Sequence, residues 1–323
     1  MDGLLIIDKP AGITSHDVVA RVRRILGERR IGHTGTLDPF ATGVLVLMVG
    51  RATRLAQFLS GAAKEYQAVI RFGYATDTGD LTGVPLPPSQ QAGSVPSPEP
   101  GGNEIEAALA GLRGDIEQVP PMYSAKKQQG RKLYELARKG EEVERPATRV
   151  TIHEFTTAPG DGPLLSRNAD GTSDLAVRVV CSAGTYIRTL AEDLGRRLGI
   201  GAHLVALRRT GAGAFRISTA VSLEELQRKV DSGEIAALVV SPDAALSHLP
   251  FLHLTVADAA RTRNGMGVGV EKDLGRGWID GEKVRMRDET GSLLAIGIFD
   301  KAAGVLQPAV VLAPQVAVRT SRP

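Results

Sequence analysis

Ile31-Gly32-His33-Thr34-Gly35-Thr36-Leu37-Asp38-Pro39-Phe40-Ala41-Thr42-Gly43-Val44-Leu45 holds three glycines, three threonines, one histidine and one carboxylate. It is too polar for a core and too apolar for a linker. The purely apolar run that follows, residues 44–49, has the length of a buried strand. A glycine-punctuated loop delivered onto a buried strand can hold a reactive group on a rigid scaffold. Taken alone, Asp38 fits a turn or a cap equally well.

The flanking segments supply the frame. Residues 4–7 read as a strand closed by Pro10 and Gly12. Thr14 or Ser15 is the expected N-cap of a helix with Asp17 in its first turn, Val18, Val19, Val22 and Ile25 on one face, and Gly27 at its end. A short helix is expected over 51–60. Residues 65–72 alternate, which puts Tyr66 with Ala68, Ile70 and Phe72 on the apolar face of a strand. Asn103 and Glu106 predict a capping box for a helix bearing Ile105, Ala108, Leu109 and Leu112. Residues 176–182 form a strand, and Ile187, Leu190, Leu194 and Leu198 a helix starting near Tyr186. Arg188 therefore falls in a first helical turn, where the macrodipole disfavours a cation; a buried carboxylate is the obvious partner for it. Another strand is expected over 203–209, with Leu204 and Ala206 opposite Val205 and Leu207. Ser222 and Glu225 predict a second capping box. Past residue 250 short strands and glycine turns take over, with a hairpin around Glu289-Thr290-Gly291.

Composition narrows the function classes. The 323 residues are 42% hydrophobic and 23% charged, with a net charge of +3, which does not by itself announce nucleic-acid binding. Its distribution says more: residues 124–151 hold eight Lys or Arg against four Glu, and 186–210 hold five Arg against two acids. Such clusters can neutralise phosphates. No apolar run approaches the roughly 20 residues of a membrane span, and the N-terminus lacks the features of a signal peptide, so a cytoplasmic protein is expected. Cys181 is the only cysteine, and the six histidines are scattered, so no metal-ligand set is evident. There is no P-loop, dinucleotide fingerprint, Gly-x-Ser-x-Gly or His-Glu-x-x-His. The proline-rich piece of about 85–102 reads as a flexible excursion. The polar segment of about 122–145, with Lys126 and Lys127 at its tip and a helix expected over 132–139, reads as a basic clamp. A carboxylate remains that can act as a covalent nucleophile without cofactor or metal.

Residues 32–43 closely resemble the catalytic motif of the tRNA pseudouridine synthase B (TruB) family. Lys9-Pro10-Ala11-Gly12-Ile13-Thr14-Ser15 resembles that family's N-terminal motif. Lys64-Glu65-Tyr66, Thr76-Asp77-Thr78, Gln118-Val119-Pro120-Pro121-Met122-Tyr123-Ser124-Ala125, Gly184-Thr185-Tyr186-Ile187-Arg188 and Leu207-Arg208-Arg209 follow in the family's order. The resemblance spans about residues 3–210; beyond 250 a weaker similarity is to the family's PUA-like domain. Three features depart from the pattern: Lys126 stands where the family usually has an apolar residue, and the 85–102 and 159–174 segments both look longer than typical.

The resemblance implies an α+β fold. A mixed or antiparallel sheet flanked by helices would form a catalytic domain over 1–250, and a small mostly β, PUA-like RNA-binding domain would occupy 251–323. It implies isomerisation of uridine to pseudouridine at position 55 in the T arm of tRNA, by base flipping, with no cofactor and no metal because no atom is gained or lost. Asp38 would be the nucleophile, attacking ribose or base ring, with Arg188 as its ion-pair partner. Tyr66 would stack on the uracil, Tyr186 and Leu207 would line the pocket, and His33 would fill or buttress the gap left in the RNA. Lys126, Lys127 and Arg131 would belong to a mobile clamp. A monomer with no protein partner is expected. Two rival readings are a non-catalytic RNA-binding or RNA-folding protein and a related synthase with another RNA target.

Overall fold

The computed structural model describes residues 1–87, 99–124, 126–128, 131–133, 143–158, 163–270 and 277–312. Most of the proline-rich excursion, most of the helix expected at 132–139 and part of the 159–174 loop fall outside these residues.

Strand β1 (Gly3–Lys9) is apolar on both faces because each face has its own cover. Leu5 and Ile7 pack under helix α1 (Ser15–Leu26), while Leu4 and Ile6 point into a second cluster behind the sheet. Thr14 caps α1 and Asp17 returns a bond to the Thr14 backbone, completing a capping box; Gly27 ends the helix in the left-handed region. Short strand β2 (Ile31–His33), not anticipated from the sequence, pairs antiparallel with β3 (Thr42–Val49). The Asp38 loop is thus the connection of a hairpin whose second strand also carries β1.

Strand β4 (Lys64–Phe72) buries alternate residues as expected, but starts one residue earlier, so Lys64 joins Tyr66 on the buried face. Helix α2 (Gly102–Ala110) and strand β5 (Gly114–Gln118) follow. The expected Asn103/Glu106 cap is corrected: the N-cap is Gly101, whose N–H donates to Glu104 at 2.7 Å, because the helix already begins at Gly102. Ile105, Ala108, Leu109 and Leu112 are buried as expected. Next come β6 (Thr148–Thr157), β7 (Ser173–Cys181), α3 (Ile187–Arg197) and β8 (Ala202–Ala212). Tyr186 is the N-cap of α3, so Arg188 does lie in its first turn.

Among the described residues the first sheet has ten strands, with the main path β1-β3-β8-β4-β7-β6-β5. Its pairs are antiparallel except β3 with β8, where Thr42 faces Arg208 and Gly43 faces Arg209. In β8 the simple alternation fails: a register shift between Leu204 and Ala206 turns Leu207 onto the same buried face as Leu204 and leaves Ala206 exposed. Arg209 then lies opposite Tyr66, and Leu207 opposite Ala68. The largest cluster joins this face of β4, β7 and β8 to α2 and α3 through residues such as Ile70, Leu109, Leu190 and Leu194.

Helix α4 (Leu223–Asp231), capped by Ser222, lies beside α1. The chain then covers the outer edge of β1: Leu4 and Val240 exchange backbone bonds at 2.8 and 2.9 Å, and Asp8 N–H donates to Val221. A second, five-stranded sheet contains Phe251–His253, Val268–Gly269, Lys283–Arg287, Leu293–Asp300 and Val305–Val311. The expected hairpin around Glu289-Thr290-Gly291 is present. Ile296, Val310 and Leu312 of this part join Leu4, Ile6, Val46 and Met48 in one buried cluster. No helix among the described residues is long and apolar enough to cross a membrane.

The crossing of β3 and β8 explains Gly43. Its φ is 101°, and a Cβ there would lie 2.2 Å from the Arg209 carbonyl oxygen. Both the backbone conformation and the space exclude a side chain. Gly43→Ala should lose at least about 2 kcal/mol of stability in urea unfolding; an unchanged midpoint would show that the two strands can part without cost.

Candidate active site

The residues that open α1 hold the Asp38 loop from below. Ser15 Oγ donates to Leu37 O at 3.1 Å and accepts from Leu37 N–H at 2.9 Å. Gly12 N–H donates to Pro39 O at 2.8 Å. The wholly buried Lys9 ammonium donates to the carbonyls of Pro10, Ile13 and Pro39 at 2.9, 2.7 and 3.2 Å. Burial lowers its pKa to about 8, against the pull of Asp38 in the other direction. The Lys-Pro-x-Gly-x-Thr-Ser segment is thus a clasp on both sides of Asp38.

Arg209 holds the other side. Its guanidinium donates to Thr36 O at 2.7 Å and to the Gly35 and Val44 carbonyls at 3.3 Å. Its Nε also donates to the Tyr66 hydroxyl at 3.3 Å, a contact set by their cross-strand register. Burial raises the Tyr66 pKa, so the phenol stays protonated. One buried cation therefore fixes both the loop carrying Asp38 and the aromatic wall facing it.

Asp38 meets Arg188 side-on: Arg188 Nε lies 3.0 Å from Oδ2, and Nη2 donates to Oδ1 at 3.2 Å. Arg188 is 3% exposed and spends its other donors on Thr78 O at 2.8 Å and Tyr123 O at 2.7 Å. A second carboxylate, Asp80, stands 3.7 Å from Arg188 Nη1 and is fixed by Thr78 and Thr82. Burial pushes the Asp38 pKa above its usual 3.8; Arg188 opposes that push and Asp80 adds to it. Arg188 is the main group that favours the ionised form of this half-buried carboxylate.

These groups surround a cavity of about 280 Å³ lined by Asp38, Tyr66, Tyr186, Arg188 and Leu207 among others. Five of the residues expected at the site are therefore brought together. Tyr186 is steadied by the buried Gln118, whose side chain accepts from Tyr186 N–H at 3.0 Å and donates to its carbonyl at 3.3 Å. His33 does not line the cavity. It sits on β2 at the loop's entrance, 5.5 Å from the His16 ring in a T-shaped contact, with its pKa lowered by burial and by the nearby His16 and Arg209. Lys126 is also away from the cavity, its ammonium donating to Thr148 Oγ1 at 2.6 Å. The side chains of Lys127 and Arg131 lie outside the described residues.

Asp80, Arg209, Lys9 and Lys64 were given no role by the sequence reading. Lys64 was within reach, since period-2 alternation puts it in the row of Tyr66. Asp80 had no such signal, because only the folded loop brings it to Arg188. Cys181 is buried, with its thiol pushed up to about 11 by burial, and is inert. No cluster of metal-ligating residues occurs among the described residues.

Family profiles match this frame. "TruB family pseudouridylate synthase (N terminal domain)" matches residues 23–187 and "tRNA pseudouridylate synthase B C-terminal domain" residues 188–247. The chain belongs to the TruB family of pseudouridylate synthases. The tRNA pseudouridine synthase B of Geobacillus thermodenitrificans is 45% identical over 265 residues, covering 82% of this chain and 85% of that protein. The one from Geobacter sulfurreducens is 42% identical over 308 residues, covering 94% and 95%. Among solved structures, a Cbf5–Nop10–Gar1 complex contains a chain that matches with a TM-score of 0.70 at 25% identity, covering 97% of this chain and 85% of that one. The expected α+β fold and pseudouridine synthase activity are thereby established, and the loop, ion pair and cavity belong to a TruB-family enzyme.

The cavity makes a pH-dependent prediction about Lys64. This residue is 7% exposed, donates to the carbonyls of Ser60 and Ala62, and has its pKa lowered from 10.5 to about 8 by burial, with Arg209 adding to the effect. Below pH 8 the folded protein carries the full cost of a buried charge. Between about 8 and 10.5 the folded state releases this proton while the unfolded state retains it, so stability should rise with pH by up to ~1.4 kcal/mol per unit. Lys64→Met should flatten that rise in denaturant titrations; identical slopes would show that Lys64 titrates normally.

Proposed function

We propose that the enzyme converts uridine 55 in the T arm of tRNA to pseudouridine, with Asp38 as the nucleophile and the target base flipped into the 280 Å³ cavity. The observation that carries this reading is the ion pair of a half-buried Asp38 with the buried Arg188, which lines a small cavity together with Tyr66. The reaction breaks the C1′–N1 bond, turns the uracil over and joins C5 to C1′. All atoms are retained, so it needs no redox group or co-substrate. A base inside a folded arm has to leave its stack before a carboxylate can reach it. Attack on the ribose and attack on the base ring both start from an ionised Asp38, which Arg188 supplies and aims.

Tyr66 is the stacking wall. Its protonated hydroxyl, held by Arg209, stays in place as the base rotates. Tyr186 and Leu207 close the same space and exclude water. His33 is on the loop that carries Asp38 but outside the cavity, which suits the task of occupying the position the base has left. The segment from 122 to 145 acts as the clamp, and residues 251–323 as an RNA-binding unit packed against a catalytic unit of 1–250. Recognition is then mainly of loop shape and phosphates.

Two experiments test this reading. Incubation with unmodified tRNA transcript and no additives should yield pseudouridine at position 55 alone when mapped nucleotide by nucleotide, and Asp38→Asn should yield none. Product at another position would refute the T-arm assignment, and full product from the variant would refute the nucleophile. Arg188→Met should remove the main downward influences on the Asp38 pKa and leave only that of Arg209, so the acid limb of the pH–rate profile should move up. Activity falls as pH drops through the Asp38 pKa, so the variant should recover best at high pH; a limb that stays in place would separate Arg188 from the ionisation of Asp38.

A further inference from the structure

Ser124 has a hydroxyl with nothing to bond. The residue is 5% exposed, lines the cavity, and its Oγ is buried without a hydrogen-bond partner among the described residues. Four other buried side-chain atoms share that condition. His33 Nδ1, Thr210 Oγ1 and Thr262 Oγ1 are not in the cavity wall, and Arg188 Nε faces the Asp38 carboxylate. Apart from Arg188, Ser124 is the one of the five residues that belongs to the cavity wall.

The cationic groups of the same wall are already committed. Arg188 serves Asp38 and the Thr78 and Tyr123 carbonyls, Arg209 serves Gly35, Thr36 and Val44, and Lys64 serves Ser60 and Ala62. The backbone before Ser124 is tied to the ion pair, because Tyr123 O accepts from Arg188. The hydroxyl has one donor and two acceptor sites free among the described residues. An unmet buried hydroxyl costs stability, and it is tolerable where a ligand satisfies it.

We propose that Ser124 Oγ hydrogen-bonds the flipped uridine and so helps to select it. This rests on the reading that the cavity holds that nucleotide. A serine hydroxyl can donate to the uracil O2 or O4, accept from N3–H, or pair with the ribose 2′-hydroxyl. The shared chemistry is one hydrogen bond to a polar group of the target nucleotide.

The test is a set of cycles. Wild type and Ser124→Ala are compared on tRNA carrying uridine, 2′-deoxyuridine, 2-thiouridine, 4-thiouridine or 3-deazauridine at the target position. kcat/KM is the readout, or Kd where an analogue is not turned over. On uridine, Ser124→Ala should lower kcat/KM about tenfold, the loss of one good hydrogen bond. On the analogue that lacks the partner group, the two enzymes should differ by less than about twofold, which also tells ribose from base edge. Thermal unfolding of the free variant should be unchanged or raised, because an unmet polar group has been removed. An equal loss on all five substrates, no loss on uridine, or a clearly lowered unfolding temperature would each overturn the assignment. If the wild-type enzyme makes no pseudouridine in the uridine tRNA, the reading of the cavity fails instead, and separately.

Discussion

The ion pair of Arg188 with Asp38, one hydrogen bond from Nη2 and the close approach of Nε, joins residues 150 positions apart, and most of the site's architecture is the means of making it. A carboxylate in a cavity from which water is excluded tends to hold its proton, and a protonated carboxyl is no nucleophile. A fully desolvated guanidinium corrects this only with good geometry and with its remaining donors satisfied. Here those donors reach the Thr78 and Tyr123 carbonyls, so the loop after β4 and the segment before the clamp both become parts of the ion pair. The position of Arg188 in the first turn of α3, unfavourable for the helix, follows from the same requirement.

The Asp38 loop contributes little to its own rigidity. It is gripped by Lys9 and Ser15 on one side and Arg209 on the other, mostly through its own carbonyl oxygens. Carbonyl contacts leave the side chains of the loop free for substrate. They also bring two buried cations, Lys9 and Arg209, near a cavity that is also lined by Lys64 and Arg188. Such a field suits a substrate whose backbone is anionic. It is costly in the empty protein, as the lowered pKa values of both lysines record.

Much of this was legible in the sequence because strands and helices announce themselves by period. The alternation of β4 placed Tyr66 inward, and the spacing of Ile187, Leu190 and Leu194 placed Arg188 in a first turn. What escaped was whatever depends on departures from period or on contacts across the chain. The bulge in β8 reverses the expected facing of Leu207 relative to Leu204, and no residue type marks it. The partnership of Arg209 with Tyr66 depends on the strand register that follows that bulge. The helix cap was misplaced because Asn103 and Glu106 carry the signature of a capping box, whereas Gly101, without a side chain, takes part only through its N–H, which donates to Glu104. Asp80 looked like one more polar loop residue until the fold set it beside Arg188.

Strand β1 is made first and finished last. Its outer edge is bonded to Val221 and Val240, and its rear face packs in a cluster that includes Ile296, Val310 and Leu312. At ordinary rates of synthesis those partners leave the ribosome on the order of 10–50 s after the strand itself. For that interval a nascent chain carries Leu4 and Ile6 with no cover and an open row of backbone donors and acceptors, the kind of edge that recruits other strands. The residues that clasp the catalytic loop begin within this same strand, at Lys9. Seating of the loop that carries Asp38 is thus tied to the arrival of the last quarter of the chain, which lines no part of the cavity.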